Sequence, residues 1–279
     1  MIRALRTHWP EYLIEAALLG LFMTSASGFT ILLEFPGSPA VAALPDAFVR
    51  RMLIGIAMGL TALALILSPM GKRSGAHFNP AVTLAFWRLG KVQTWDAVFY
   101  IVAQFVGGIA GVALVSGVAP QWLADSSVNY VATLPGSTGN GVAFAAEFAI
   151  SFVLMLTVLN VSNHVRLSRF TPFFAATLVA SYITFEAPLS GMSMNPARTF
   201  GSAFVGGVWT GLWIYFTAPV LAMLLAALVY RRSGRVVYCA KLHHHNGARC
   251  IFNCAFGQLA RLETVRSQTA NAAQCAGKT

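Results

Sequence analysis

Two ten-residue segments of this chain are near copies of each other. Ser74–Thr83 reads SGAHFNPAVT and Ser190–Thr199 reads SGMSMNPART, so six of the ten positions are identical. Each copy contains an Asn-Pro-Ala box, in which Asn is a strong N-cap and Pro suits the first helical position. The helical pattern after Pro80 lasts about two turns, roughly 11 Å, before Arg88. That length cannot cross a bilayer, so each box predicts a re-entrant half-helix.

The composition around the two boxes is that of a membrane protein. Of 279 residues, 57% are hydrophobic and only 10% are charged, whereas about 25% are charged in a soluble domain. A membrane-spanning helix needs about 17–25 mostly apolar residues. The apolar runs predict six spans, at about 12–34, 49–70, 96–118, 142–163, 171–190 and 208–230. The first run is too long for a cleavable signal peptide and is interpreted as span 1.

The two boxes divide the spans into two equivalent halves. Each box follows the second span of a three-span half, and the half-repeats cover about 10–118 and 140–230. Three spans per half make the halves cross the membrane in opposite senses, as inverted repeats. The boxes should therefore approach the bilayer centre from opposite faces. We predict a channel domain at 1–230 and a C-terminal tail at 231–279.

The net charge of +10 reports topology. Lys and Arg cluster at the N-terminus, after spans 2 and 4, and in the tail, which predicts that both termini are cytoplasmic. Arg50 and Arg51 lie on the opposite side and are exceptions to this rule. The basic excess suits anionic lipid and does not indicate nucleic acid, because no soluble basic face would present it.

The facing boxes predict a defined chemistry at mid-membrane. The amides of Asn79 and Asn195 can cap their own helices through oxygen and still direct N–H donors into a lumen. Two helix N-termini place partial positive charge there, which repels cations. The loops 75–78 and 191–194 would line the cavity with backbone carbonyls. Arg198 is costly at this depth and is interpreted as functional, with a structural Arg bound to a carbonyl as the alternative.

These paired boxes, NPAVT and NPARTFG, resemble those of the aquaporin (major intrinsic protein) family over about residues 10–230. The resemblance implies an all-α membrane protein with six transmembrane helices and two re-entrant half-helices, assembled as a homotetramer in the cell (inner) membrane. It implies a passive channel for water and small uncharged solutes that excludes ions and protons and requires no cofactor. The motif residues carried over are Asn79, Pro80, Ala81, Asn195, Pro196 and Ala197.

The resemblance also assigns a selectivity filter and two supporting carboxylates. The filter positions are Arg198, Ile183 and Met192, with either Met58 or Gly59 from span 2. Glu15 and Glu147 are implied to be buried carboxylates that accept hydrogen bonds from the re-entrant loops.

The markers of solute preference conflict. Strict water channels of the family place an aromatic residue in span 2 and His in span 5, and this sequence has neither. Glycerol channels place Asp directly after the filter Arg, where this chain has Thr199, and Pro-Leu in span 6, where it has Tyr215 and Phe216. We expect water permeation with some leak of small neutral solutes. The alternative is a facilitator of glycerol or other small neutral solutes with a wide apolar filter.

Two further features stay open at the sequence level. His77 is either a vestibule ring or a residue that braces the loop. All four cysteines lie in the tail, and Cys239, His243, Cys250 and Cys254 could form a tetrahedral zinc site. The alternative is a disordered tail without a metal.

Other classes of protein fit less well. A secondary transporter also uses inverted repeats and broken helices, but it would need Glu15 and Glu147 to face the lumen as ion-coupling groups. We expect no enzyme, because the sequence offers no nucleophile with its base and no phosphate-binding glycine loop.

Overall fold

The computed structural model describes residues 1–164, 166–244 and 249–257, and the regular elements in these ranges are helical. The principal helices are α1 (Ile2–Glu34), α2 (Ala47–Leu67), α3 (Pro80–Arg88), α4 (Thr94–Val118), α5 (Asn140–Ser162), α6 (Thr171–Phe185), α7 (Pro196–Gly206) and α8 (Leu212–Arg232). Short helices at Pro39–Ala43, Pro69–Ser74, Pro120–Leu123, Asn129–Val131, Ser168–Phe170 and Ala187–Ser190 lie in the connections. The two boxes begin α3 and α7, as the sequence predicts.

Five of these helices are long and apolar enough to cross a membrane: α1, α2, α4, α5 and α8. The fifth predicted span, 171–190, is divided, because α6 has 15 residues and the one-turn helix Ala187–Ser190 follows it. Pro188 explains the break, since it lacks an N–H and its ring clashes with the carbonyl four residues earlier. That carbonyl, on Thr184, instead accepts a hydrogen bond from Arg51 Nε at 2.9 Å.

The packing of the helices follows the inverted repeat. Helix α1 packs against α4 as α5 packs against α8, and α2 packs against α6 at the junction of the halves. Each half-helix packs on the third span of the other half, α3 on α8 and α7 on α4. Small residues permit the close approach: a Cβ on Gly107 of α4 would lie 2.1 Å from the Ala16 carbonyl oxygen of α1.

The tail folds back onto the channel after α8. Tyr238 N donates to Asn163 Oδ1 at 2.6 Å, and Asn253 N donates to the Lys91 carbonyl at 2.9 Å. Arg249 also reaches the N-terminal helix. The described part of the tail therefore covers the face on which the α2–α3 loop enters, called here the tail face. Residues 258–279, including Cys275, lie outside the described residues.

Candidate functional site

A cavity of about 450 Å³ runs past both boxes. It extends from an outer end near Glu34 and Arg51 to the tail face, where Leu242 lines it. Its walls include seven of the predicted pore residues: Met58, His77, Asn79, Ile183, Met192, Asn195 and Arg198. The motif Pro and Ala residues stand just behind it, with Pro80, Ala81, Pro196 and Ala197 all buried at the starts of the half-helices.

The two asparagines are bonded reciprocally at the centre. Asn79 Oδ1 accepts from Ala81 N at 2.9 Å, and Asn195 Oδ1 accepts from Ala197 N at 3.1 Å. Asn79 Nδ2 donates to the Met194 carbonyl at 2.8 Å, while Asn195 Nδ2 donates to the Phe78 carbonyl at 2.7 Å. Each amide therefore donates one N–H to the opposite loop, and its second N–H remains available to a molecule in the cavity. The chemistry of an amide allows both of its N–H groups to point into the lumen, but the fold leaves one of them there.

The loops before the asparagines have matching strained backbones. Positive φ occurs at Gly75, Ala76 and Phe78 in the first loop and at the corresponding Gly191, Met192 and Met194 in the second. Such conformations are costly for residues with a Cβ and persist only where the surroundings hold them. Two buried carboxylates supply that hold.

Glu15 and Glu147 are completely buried beneath these loops. Glu15 accepts from His77 N at 3.1 Å and Phe78 N at 2.6 Å, and additionally from the Ser74 hydroxyl and the Gln104 amide. Glu147 accepts from Ser193 N, from Met194 N at 2.8 Å and from the Ser190 hydroxyl at 3.0 Å. Because their oxygens are engaged by the loops, they are supports and not ion-coupling groups of a transporter.

Of the two positions predicted in α2, Met58 lines the cavity and Gly59 does not. Met58 lines the cavity, whereas Gly59 faces α6, where a Cβ would lie 2.7 Å from the Ala176 carbonyl oxygen. The prediction of Gly59 as a filter residue is therefore wrong. Since the close contact between α2 and α6 requires glycine there, the side chain before it is the one that reaches the cavity. Together with Ile183 and Met192 it gives the cavity an apolar lining, and Arg198 lines the same cavity.

Arg198 is held by a loop that the sequence analysis did not assign to the site. Its guanidinium donates to Thr133 Oγ1, a buried residue in the connection between α4 and α5. Its backbone N–H is capped by Asn195 Oδ1 at 3.2 Å. The side chain is thus oriented from both ends, with its remaining donors available to solute oxygens. Only the folded connection brings Thr133 to this position, so no sequence signal marked it.

The two exceptions to the charge rule belong to the outer end of the cavity. Arg50 pairs with Glu34 at 3.3 Å and also donates to the Leu44 and Pro45 carbonyls. Arg51 lines the cavity. Their presence on that side is explained by these local contacts.

His77 braces the loop and contacts the tail. Its Nδ1 lies 3.1 Å from Thr83 Oγ1 and its Nε2 lies 2.8 Å from the Ala240 carbonyl oxygen. Its ring stacks between Phe86 and Phe252, at centroid distances of 5.3 and 5.4 Å. It is only 2% exposed, although it also lines the cavity.

The tail cysteines meet a histidine, but not the predicted one. Cys239, Cys250 and Cys254 cluster with His244, and His243 is not part of the group. His244 Nε2 lies 3.2 Å from Cys254 Sγ. Among three consecutive histidines, spacing alone could not tell which ring the backbone directs inward. The thiols of Cys239 and Cys250 share a hydrogen bond, which lowers the pKa of Cys250 and raises the pKa of Cys239.

Comparison with known proteins agrees with this architecture. The profile of the family described as "Major intrinsic protein" matches residues 7–230. Aquaporin A of Dictyostelium discoideum is 34% identical over 218 residues, which are 75% of this chain and 77% of that protein. Glycerol uptake facilitator protein-like 6 of Lactiplantibacillus plantarum is 35% identical over 214 residues, 74% of this chain and 94% of that protein.

Among solved structures, the chain resembles the aquaglyceroporin from Plasmodium falciparum. The TM-score is 0.66 at 21% identity, over 80% of this chain and 96% of the other. This structural similarity supports the fold, and the family profile and the sequence relatives show to which family the chain belongs. The protein is an integral membrane channel for small solutes rather than an enzyme, and the chain belongs to the major intrinsic protein family.

Proposed function

We propose that this channel passes water as its main solute, with a slower leak of small neutral molecules such as glycerol, and excludes ions and protons. The observation that carries the proposal is the reciprocal Asn79–Asn195 centre, which lies in the same cavity as Arg198. Each asparagine keeps one N–H for a passing oxygen. A water molecule there can accept a bond from either side and be turned by it.

Exclusion of cations follows from charge. The N-termini of α3 and α7 meet at the centre, and each carries partial positive charge. Arg198 adds a full charge in the same cavity. A cation that has shed water would meet positive potential at both levels, whereas a neutral solute would not.

The glycerol facilitator is kept as the second candidate because of the apolar wall. Met58, Ile183 and Met192 face the cavity without a polar side chain among them. Such a wall suits the carbon backbone of a polyol, with Arg198 as partner for its hydroxyls. The relatives include both an aquaporin and a glycerol facilitator by name.

The deciding measurement is stopped-flow swelling of proteoliposomes in separate water and glycerol gradients. We expect osmotic water flux well above that of empty liposomes and a slower glycerol flux, neither altered by an imposed ion gradient. Arg198→Ala should raise glycerol flux relative to water, because the cavity loses its bulkiest polar wall. Glycerol flux with negligible water flux would favour the facilitator instead.

Orientation and assembly are part of the same proposal. The tail contacts the backbone of Lys72, Lys91 and the basic N-terminal helix, and this collection of basic segments on one face supports a cytoplasmic position for both termini in the cell membrane. Exposed apolar side chains such as Leu60, Val106 and Phe204 leave surface for lipid and for other copies in a homotetramer. Light scattering of the detergent-solubilised protein would measure the number of copies.

A further inference from the structure

The tail cluster has the composition and size of a tetrahedral metal site. The ligand atoms of Cys239, His244, Cys250 and Cys254 all lie within 4.8 Å of one another. The Cys239 and Cys250 sulfurs are 3.6 Å apart, and Cys254 Sγ is 3.2 Å from His244 Nε2. A zinc ion with Zn–S bonds of about 2.3 Å places its sulfurs about 3.8 Å apart. The four atoms thus need little movement to surround one ion.

The surroundings of the cluster suit a charged Cys₃His centre. Three thiolates with Zn²⁺ carry one net negative charge. The Lys241 side chain is 2% exposed and close enough to interact electrostatically with all three sulfurs. Its ammonium is anchored by the Lys72 and Arg249 carbonyls, each at 2.7 Å. A buried cation beside three thiols gives the charge balance that such a centre requires.

The imidazole is positioned by stacking. The His244 ring lies 4.1 Å from the Phe256 ring, at an interplanar angle of 10°. This contact holds the ring plane while Nε2 faces Cys254. A ligand held before the ion arrives loses less freedom on binding.

The chain between the ligands touches the pore. Between Cys239 and His244, the Ala240 carbonyl contacts His77, and Leu242 N donates to the Gly75 carbonyl at 3.1 Å. Between Cys250 and Cys254, the Phe252 ring stacks on His77.

Leu242 carries this contact into the cavity itself. Its side chain lines the cavity at the tail face and is only 6% exposed. Whatever fixes residues 239–244 and 249–254 also fixes Leu242 in the mouth of the pore.

We propose that Cys239, His244, Cys250 and Cys254 bind one Zn²⁺ ion, which locks this part of the tail over the tail-face mouth and lowers solute flux. Removal of the ion frees the segment, because residues 239–244 and 249–254 are then no longer joined through bonds to one atom. The effect on flux rests on the water channel proposed above, while binding of the metal does not.

The first test counts metal. Full-length protein purified with Zn²⁺ in the growth medium should hold about one zinc per chain by elemental analysis. His244→Ala and Cys250→Ser should each lose it, whereas the matched neighbour His243→Ala should keep it. Cobalt substitution should give thiolate-to-metal absorption in the wild type and in His243→Ala, but not in His244→Ala or Cys250→Ser. Absence of zinc from the wild type, or a Cys239–Cys250 disulfide found by mass spectrometry in its place, would overturn the site.

The second test links metal to flux. Stripping zinc with a chelator before reconstitution should raise water permeability by about threefold or more, and adding Zn²⁺ back should reverse the rise. Leu242→Ala should keep its zinc and show the raised permeability without stripping. Equal flux with and without bound zinc would overturn the lock. If no preparation conducts water, the proposed function fails, and the zinc count still decides whether the metal site exists.

Discussion

The two re-entrant loops are built alike inside and covered differently outside. The Tyr100 hydroxyl donates to the Ser74 carbonyl as the Tyr215 hydroxyl donates to the Ser190 carbonyl. His77 contacts Thr83 where Ser193 contacts Thr199. The internal bonding is therefore a property of the repeat.

The covers come from unrelated parts of the chain. The first loop is covered by the tail, whose Leu242 bonds to Gly75. The second is covered by the α4–α5 connection, where Leu134 lies against Gly191 and Thr133 bonds to Arg198. The repeat accounts for a symmetric centre, and the two covering segments outside the repeat make its two mouths different. Arg198, the predicted filter residue, is bonded to the α4–α5 connection, and the proposed lock lies in the tail.

The largest expected effect is the loss of stability on removing either carboxylate that supports a re-entrant loop, and it tests whether the two loops are held alike. Glu15→Ala would leave four donors without an acceptor in a fully buried position, and should cost about 3–5 kcal/mol of stability. Glu147→Ala removes three such bonds and should cost somewhat less. Thermal unfolding in detergent measures both.

The conservative variants serve as controls for this pair. Glu15→Gln and Glu147→Gln retain an acceptor oxygen and should recover part of the loss. A larger effect at Glu147 than at Glu15 would show that the two supports are not equivalent.

A smaller effect is expected from breaking the reciprocal centre. Asn79→Asp or Asn195→Asp replaces a donor with a carboxylate oxygen that faces the Met194 or Phe78 carbonyl. The variant loses both N–H donors of the amide, including the one left for a passing water. Loss of that bond to water, roughly 1.4 kcal/mol, should lower water permeability about tenfold. The negative charge should also admit cations, which a dye-based flux assay detects.

The two aspartate variants should behave equally, because the bonds they break are equivalent. The exposed Asn140→Asp at the start of α5 is the matched control and should leave flux unchanged. A strongly unequal pair would mean that the centre is not symmetric in function.

The smallest expected effect is on the melting temperature, when a glycine beneath the tail or beneath the α4–α5 connection is replaced by alanine. Gly75 and Gly191 both have positive φ, where alanine costs about 1–2 kcal/mol. At Gly191 the added Cβ would also meet Leu134 backbone N and O at 2.9 Å, whereas at Gly75 it would meet the Phe252 ring at 2.8 Å. A ring in the tail can shift, so Gly191→Ala should lower the melting temperature more.

Gly28→Ala provides the control for this comparison. Gly28 lies within α1 and nothing stands within 4 Å of an added Cβ. We expect no loss of stability there, since alanine is the better helix former. Equal melting temperatures for Gly75→Ala and Gly191→Ala would mean that the tail is as rigid a cover as the connection.

Much of the channel follows from the sequence, because repetition and apolar length are local signals. The paired Asn-Pro-Ala boxes predicted both half-helices, which begin at Pro80 and Pro196. The apolar runs predicted the five long helices and the fifth span, which the structure divides near Pro188 into α6 and the helix Ala187–Ser190. The position of Pro188 shows that the carbonyl of Thr184 is left free, but the sequence does not show that Arg51 will bond to it.

The remaining decisions needed the tertiary structure, because they depend on which surfaces meet. The contact of α2 with α6 turns Gly59 away and leaves Met58 in the cavity. The α4–α5 connection brings Thr133 to Arg198, across 65 residues of chain. The fold of the tail selects His244 over His243 and lays Leu242 in the pore mouth. The paired half-helices could be predicted because short local patterns encode helices and their caps, whereas the difference between the two ends of the channel arises from the packing of segments far apart in the chain.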